Sequence, residues 1–288
     1  MRRSLLVIVV IALVTGAVAL RLTAGSRGVA AAQRALDAHD LAGAEALWRE
    51  TLARDPSSAE ALYGLGWTLH LAGRTDLARE SFQQCVEAHP ESPLGYKGLG
   101  SVAMASGNPT LARERFGEAL TRAPGDPAIR HSLALLDLST GRTKEAIAAF
   151  QELIAVDPER PEFRQALAEA LLVDRQDEEA LDAAAEAIRL AADEPRIRAQ
   201  AEVTRARALL GVSAGRVDPA DCTRTAPPVY AWLEAADQAL DQAEATGIAV
   251  PELLEARRLV RQRRGVVDDQ CPGVRAGKET VGRNFPGG

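Results

Sequence analysis

The chain has 288 residues, of which 47 % are hydrophobic, 26 % charged and 4 % aromatic, and its formal net charge is −6. This is the composition of a folded chain with a real core, filled by alanine and leucine rather than aromatics, which suits close helix packing better than a β-sandwich. Acids and bases are interspersed, so no concentrated basic face exists to hold nucleic-acid phosphates.

The first element is apolar. Met1-Arg2-Arg3 precedes an uncharged run from Leu5 to Leu20, closed by Arg21. A charged start followed by an apolar stretch is a membrane-targeting signal. As a helix the run spans roughly 24 Å, somewhat short of the ~30 Å hydrocarbon core. Residues 1–22 are therefore expected to be either an uncleaved anchor or a cleaved signal, Ala17-Val18-Ala19 offering small residues for cleavage near Ala19. In both cases Arg2 and Arg3 stay inside and the remainder is exported. The arginine and alanine bias, with only Lys97, Lys144 and Lys278 as lysines, is that of a GC-rich bacterial genome, so the expected place is the inner membrane, single-pass, with the bulk of the chain in the periplasm.

An internal repeat follows. Residues 59–92, 93–126 and 127–160 align without a gap at a 34-residue period. Leu65, Leu99 and Leu133 share one register, followed directly by Gly66, Gly100 and Ala134. Gly73, Gly107 and Gly141 mark a turn, Ala78, Ala112 and Ala146 come next, then Phe82, Phe116 and Phe150, and Pro90, Pro124 and Pro158 close the blocks. The small residue after leucine lets two helices approach closely. The turn glycine ends the first helix in a left-handed conformation. The alanine fits where nothing larger can, the phenylalanine fills the gap between neighbours, and the proline stops the second helix. Residues 25–58 and 161–194 are degenerate copies, with His39 and Arg175 at the turn, as terminal repeats often are.

This pattern resembles the tetratricopeptide-repeat (TPR) family over about 170 residues. The resemblance implies an all-α, right-handed superhelical solenoid of helix–turn–helix repeats, five of them in 25–194. In that family the first helix of each repeat lines a concave surface that commonly holds a peptide or helix. Carried over by register, that face comprises Tyr63, Trp67, His70, Lys97, Ser101, Met104, His131, Leu135 and Leu138, spaced i, i+4, i+7 within each helix. Tyr63 and Trp67 stand where chaperone-binding members have the first pair of a carboxylate clamp, which argues against such a clamp. The aromatic and methionine content favours an apolar segment or amphipathic helix as guest. Two other readings stay open: Tyr63 and Trp67 as plain inter-helix packing, and the chain's own tail, with Phe285-Pro286, lying in the groove.

Residues 195–264 depart from the spacing and are read as a degenerate sixth repeat and capping helices. A first helix ends near Gly211, a Pro/Gly/Thr/Asp-rich loop covers 212–228, a helix covers 229–246, and another starts at Pro251 and runs to about Arg264. Residues 265–288 are expected to be irregular.

Cys85 occupies a position held by Ala119 in the next repeat and reads as a small buried residue. Cys222 precedes one C-terminal helix and Cys271 follows the next, so an antiparallel pair would bring them together. With the export signal, this predicts a Cys222–Cys271 disulfide. The alternative is two free thiols in an irregular tail. No CxxC, HExxH, GxSxG or GxxxxGK[ST] pattern occurs. His39 and His89 fall at turns, and no catalytic, cofactor-binding or metal-ligating set is found. The functional expectation is a membrane-tethered protein-interaction scaffold or assembly factor, not an enzyme, binding another protein. A self-associating structural solenoid and an accessory subunit of an envelope enzyme or secretion complex are the alternatives. A pocket uniting Asp268, Asp269 and an arginine would favour the last.

Overall fold

The computed structural model describes residues 27–214, 216–272 and 274, and every regular element among them is a helix. The N-terminal apolar run and the Phe285-Pro286 tail lie outside the described residues. Among the described residues no helix is long and apolar enough to cross a membrane. In chain order the helices are α1 (27–37), α2 (Leu41–Arg54), α3 (Ala59–Leu71), α4 (Thr75–Ala88), α5 (Pro93–Ala105), α6 (Pro109–Arg122), α7 (Pro127–Ser139), α8 (Thr143–Val156), α9 (Pro161–Val173), α10 (Asp177–Leu190), α11 (Pro195–Ser213), α12 (Cys222–Ala245) and α13 (Leu253–Gln270). They fall into two compact units, 1–136 and 137–288, and α7 crosses the division.

The helix starts follow local chemistry. Asp40, Ser58, Ser92 and Asn108 each accept a hydrogen bond from a backbone N–H in the first turn of the helix that follows. Pro93, Pro109, Pro161 and Pro195 stand in the opening turn, where the missing N–H has no intrahelical partner to lose. The turn inside each repeat is the same motif. The residue after the left-handed position donates its N–H five residues back: Asp40 to Ala35, Arg74 to Leu69, Asn108 to Ala103, Arg142 to Asp137 and Gln176 to Leu171. Gly73, Gly107 and Gly141 have φ of 76°, 71° and 80° at that position, and His39 and Arg175 take φ of 60° and 63°. The degenerate repeats thus keep the turn without its glycine.

In the first unit each helix from α2 to α6 packs on the next, and α3 also touches α5. The packing hinges on rings clamped between glycines. A Cβ at Gly66 would lie 2.5 Å from Phe82, and one at Gly98 would lie 2.2 Å from the same ring. Gly64 stands in the same relation to Trp48 (2.4 Å) and Gly100 to Phe116 (2.6 Å). Phe82 and Phe116 are fully enclosed, each burial contributing on the order of 1.5–3 kcal/mol.

In the second unit α9 and α11 touch as well as flanking α10, and α11 packs on both α12 and α13. Val203, Leu209, Val229, Leu233, Leu240, Val260 and Val267 form the core of the C-terminal helices. Two boundaries differ from the sequence expectation. The expected loop 212–228 is shorter, because α11 continues to Ser213 and α12 begins at Cys222, with Pro227 and Pro228 inside the helix. The prolines deprive the carbonyls of Thr223 and Arg224 of their donors, but these residues are exposed and water can serve them. The helix start is held instead by Thr225, whose hydroxyl donates to Asp221 O at 2.8 Å and accepts from Asp218 N at 3.0 Å. Similarly, α13 runs past Arg264 and Gly265 to Gln270, because Val267 is fully buried and Cys271 caps the helix.

Candidate functional site

Tyr63, Trp67 and His70 lie along α3 and are half-buried, their rings forming a connected set. Trp67 meets Tyr63 (centroids 6.2 Å) and His70 (5.5 Å) edge to face, and both Tyr63 (5.7 Å) and Trp67 (6.3 Å) rest on Phe82. Their inner edges are thus part of the core, while the rest of each ring reaches solvent. From α5, Lys97 places its ammonium 5.1 Å from the Tyr63 ring centre, in cation–π range. Burial pushes the His70 imidazole below its usual value, which favours the neutral ring, and its Nδ1 has no hydrogen-bond partner.

Not every residue expected on this face is equally available. Ser101 is buried at 9 % exposure and donates its hydroxyl to Lys97 O at 3.1 Å, so it offers a guest little. Met104 is half-buried against the Tyr96–Phe116 cluster. His131 and Leu135, on α7, are half-buried within the first unit. Leu138 belongs to the second unit, where it lines a cavity of about 190 Å³ with Glu169, Val173, Val203, Val250 and Glu252. Sequence reasoning missed this cavity. The available signal was the 34-residue register, which carries Tyr63 to Gln165 and Trp67 to Glu169.

The groups that could carry chemistry have structural employment. Burial raises the Cys85 thiol to about 11, and its Sγ sits 3.6 Å from Ala59 O. His89, at a turn, is half-buried and hydrogen-bonded through Nε2 to Ser57 O. Asp268 accepts from Tyr230 at 2.6 Å, and both it and Asp269 are exposed. Among the described residues no group of three or more His, Cys, Asp or Glu could hold a metal ion. Cys222 and Cys271 form a disulfide with Cα atoms 5.5 Å apart, joining the start of α12 to the end of α13.

Comparisons with known proteins agree with this architecture. Tetratricopeptide-repeat family profiles match residues 29–93, 131–195 and 103–150, together more than half of the chain. No curated protein matches it significantly. Among solved structures, a thermophilic TPR protein of Thermus thermophilus is similar with a TM-score of 0.58 and 22 % identity, over 62 % of this chain and 98 % of that one. A Pseudomonas aeruginosa pilF structure is similar at 0.55 and 19 %, over 83 % and 98 %. The Cut9–Hcn1 hetero-tetramer of the APC/C gives 0.66 and 17 %, over 83 % of this chain and 42 % of that one. The repeat register, the left-handed turns and these profile matches agree: the chain belongs to the tetratricopeptide-repeat family.

Proposed function

We propose that this protein is a membrane-tethered interaction scaffold that takes an apolar peptide or amphipathic helix from another protein on the face of α3, α5 and α7. Tetratricopeptide repeats generally mediate protein–protein contact, and the observation that carries the reading here is the half-buried Tyr63–Trp67–His70 set. Two rings resting on Phe82, the His70 imidazole edge-on to one of them and one cation at Lys97 make a rigid apolar anchor site with little charge to desolvate. The work done is binding rather than catalysis. The apolar run 5–20 supplies the tether, placing the repeats on the exported side of the inner membrane. Cleavage near Ala19 would release the same domain into the periplasm.

Trp67→Ala is expected to cost about 2 kcal/mol of partner affinity while the helical circular-dichroism signal stays intact. Loss of helix content together with binding would show that Trp67 serves packing alone.

A second reading has its own observation. On α13, Leu259 and Val266 stand two turns apart on one face and are 42 % and 38 % exposed, apolar surface suited to a second copy of the chain. A monomeric mass by light scattering at working concentration would dismiss it.

A further inference from the structure

The two sides of α13 differ in what they already do. On the inner side Ala256, Val260 and Val267 are buried in the core of the C-terminal helices. Arg257 pairs with Asp241 and Glu244, Arg264 pairs with Asp237, and Arg263 donates to Ser213 O, so these three cations are spent on the fold. On the outer side Glu255, Leu259, Gln262, Val266 and Asp269 recur at spacings of four and three residues, the period at which one helix offers a seam to another. Glu255, Gln262 and Asp269 are exposed, and Leu259 and Val266 keep 42 % and 38 % of their surface open. Beside this seam stands Gly265, also exposed, where a Cβ would meet nothing within 4 Å. Glycine inside a helix destabilises it relative to alanine, and this one makes room for no neighbour of its own fold.

The seam is complementary to itself when two copies run antiparallel. About a two-fold axis at Gln262, position 262 − n of one copy stands opposite position 262 + n of the other. Leu259 then falls on Gly265 and beside Val266 of the second copy, in the space a Cβ would occupy, and the contact repeats across the axis. Glu255 falls opposite Asp269, and the exposed Arg258, one turn in from that layer, stands between the two carboxylates. A parallel pairing would instead set Arg258 against Arg258 and Asp269 against Asp269, and would leave the space over Gly265 unused.

We propose that two copies of the chain pair through the outer side of α13, antiparallel about Gln262, with Leu259 of each seated over Gly265 of the other. The proposal rests on the second reading above, that α13 meets another copy, and gives that contact its geometry and its selectivity. It uses no residue of the aromatic face on α3, so each copy keeps its guest site.

The test is disulfide cross-linking of the full chain. Cys222 and Cys271 are bonded to each other and Cys85 is buried, so an added cysteine is the thiol available to an oxidant. Gln262→Cys, on the axis, is expected to cross-link two chains under mild oxidation. Leu254→Cys, at a position 76 % exposed, is expected not to, because antiparallel pairing sets its two copies roughly 24 Å apart along the helices. Adding Gly265→Gln, which fills the space Leu259 needs, should slow the Gln262→Cys cross-link at least about tenfold. It should not lower the melting temperature, since glutamine is the better helix former. Equal cross-linking from Leu254→Cys, or a Gln262→Cys rate that Gly265→Gln leaves unchanged, overturns the proposal. So does a missing Gln262→Cys cross-link in protein whose mass by light scattering is that of a dimer: the second reading would then stand and this geometry fall. A monomeric mass would remove both. Should Gly265→Gln lower the melting temperature, Arg258→Glu must lose the cross-link, and Arg258→Glu with Asp269→Arg must regain it, for the proposal to stand.

Discussion

Among single residues, His39 and Arg175 are the most exacting. Both hold a left-handed backbone that costs a non-glycine residue about 1–2 kcal/mol, and both do so where their sister repeats have glycine. Arg175→Gly relieves that strain but frees the unfolded chain, for an expected net gain of about 0.5–1 kcal/mol. Thermal melting should rise by a few degrees; a lower melting temperature would show that the Arg175 side chain supports the fold. The left-handed turn was legible from the register, since 34 residues carry Gly141 onto Arg175. Nothing in the register, by contrast, marks Glu202 as buried. In the fold it is 1 % exposed, with Arg205 at 3.0 Å, and burial raises its carboxyl above the usual range. A raised native value means that the unfolded chain loses its proton first. Glu202 therefore costs stability increasingly as pH climbs from the ordinary carboxylate range through the raised value, and the cost is complete above it. Glu202→Gln should be more stable than the parent at pH 7 and lose that advantage near pH 4; the reverse order would mean that the Arg205 pairing outweighs the burial.

At the level of elements, periodicity located the repeat helices, because glycine turns and proline stops punctuate them. It served less well at the C-terminus. Pro227-Pro228 reads as loop from local propensity, yet α12 runs through them. What overrides propensity is long-range: Val229, Tyr230 and Leu233 bury against α11 and α13, and the disulfide pins the first turn to Cys271. Gly265 likewise suggested an end to α13 that the burial of Val267 overrules. The cross-link closes a separation of 49 residues, so its reduction should cost about 2–4 kcal/mol of stability. Melting followed with and without reductant reads this directly, with a Cys222→Ala/Cys271→Ala variant as the reductant-insensitive control. An identical melting temperature in both conditions would show that the helices dock unaided.

For the molecule as a whole, 34-residue register says which side chains share a face but not how far each is buried or what it already bonds. Ser101 belongs to the expected face and spends its hydroxyl on its own helix. Leu138 belongs to it by register and instead lines the second unit's cavity, beside Glu169, which register could have supplied. Nor does register name a guest, because partner chemistry resides in a few side chains that the repeat pattern leaves free. The central claim, that the Tyr63–Trp67–His70 face holds another protein, is tested most directly by photocrosslinking in cells from a probe at position 67, followed by mass spectrometry of the adducts. The account predicts one dominant adduct to an exported or membrane protein, through an apolar or amphipathic segment. Adducts confined to this chain's own tail or to a second copy of it would contradict the account.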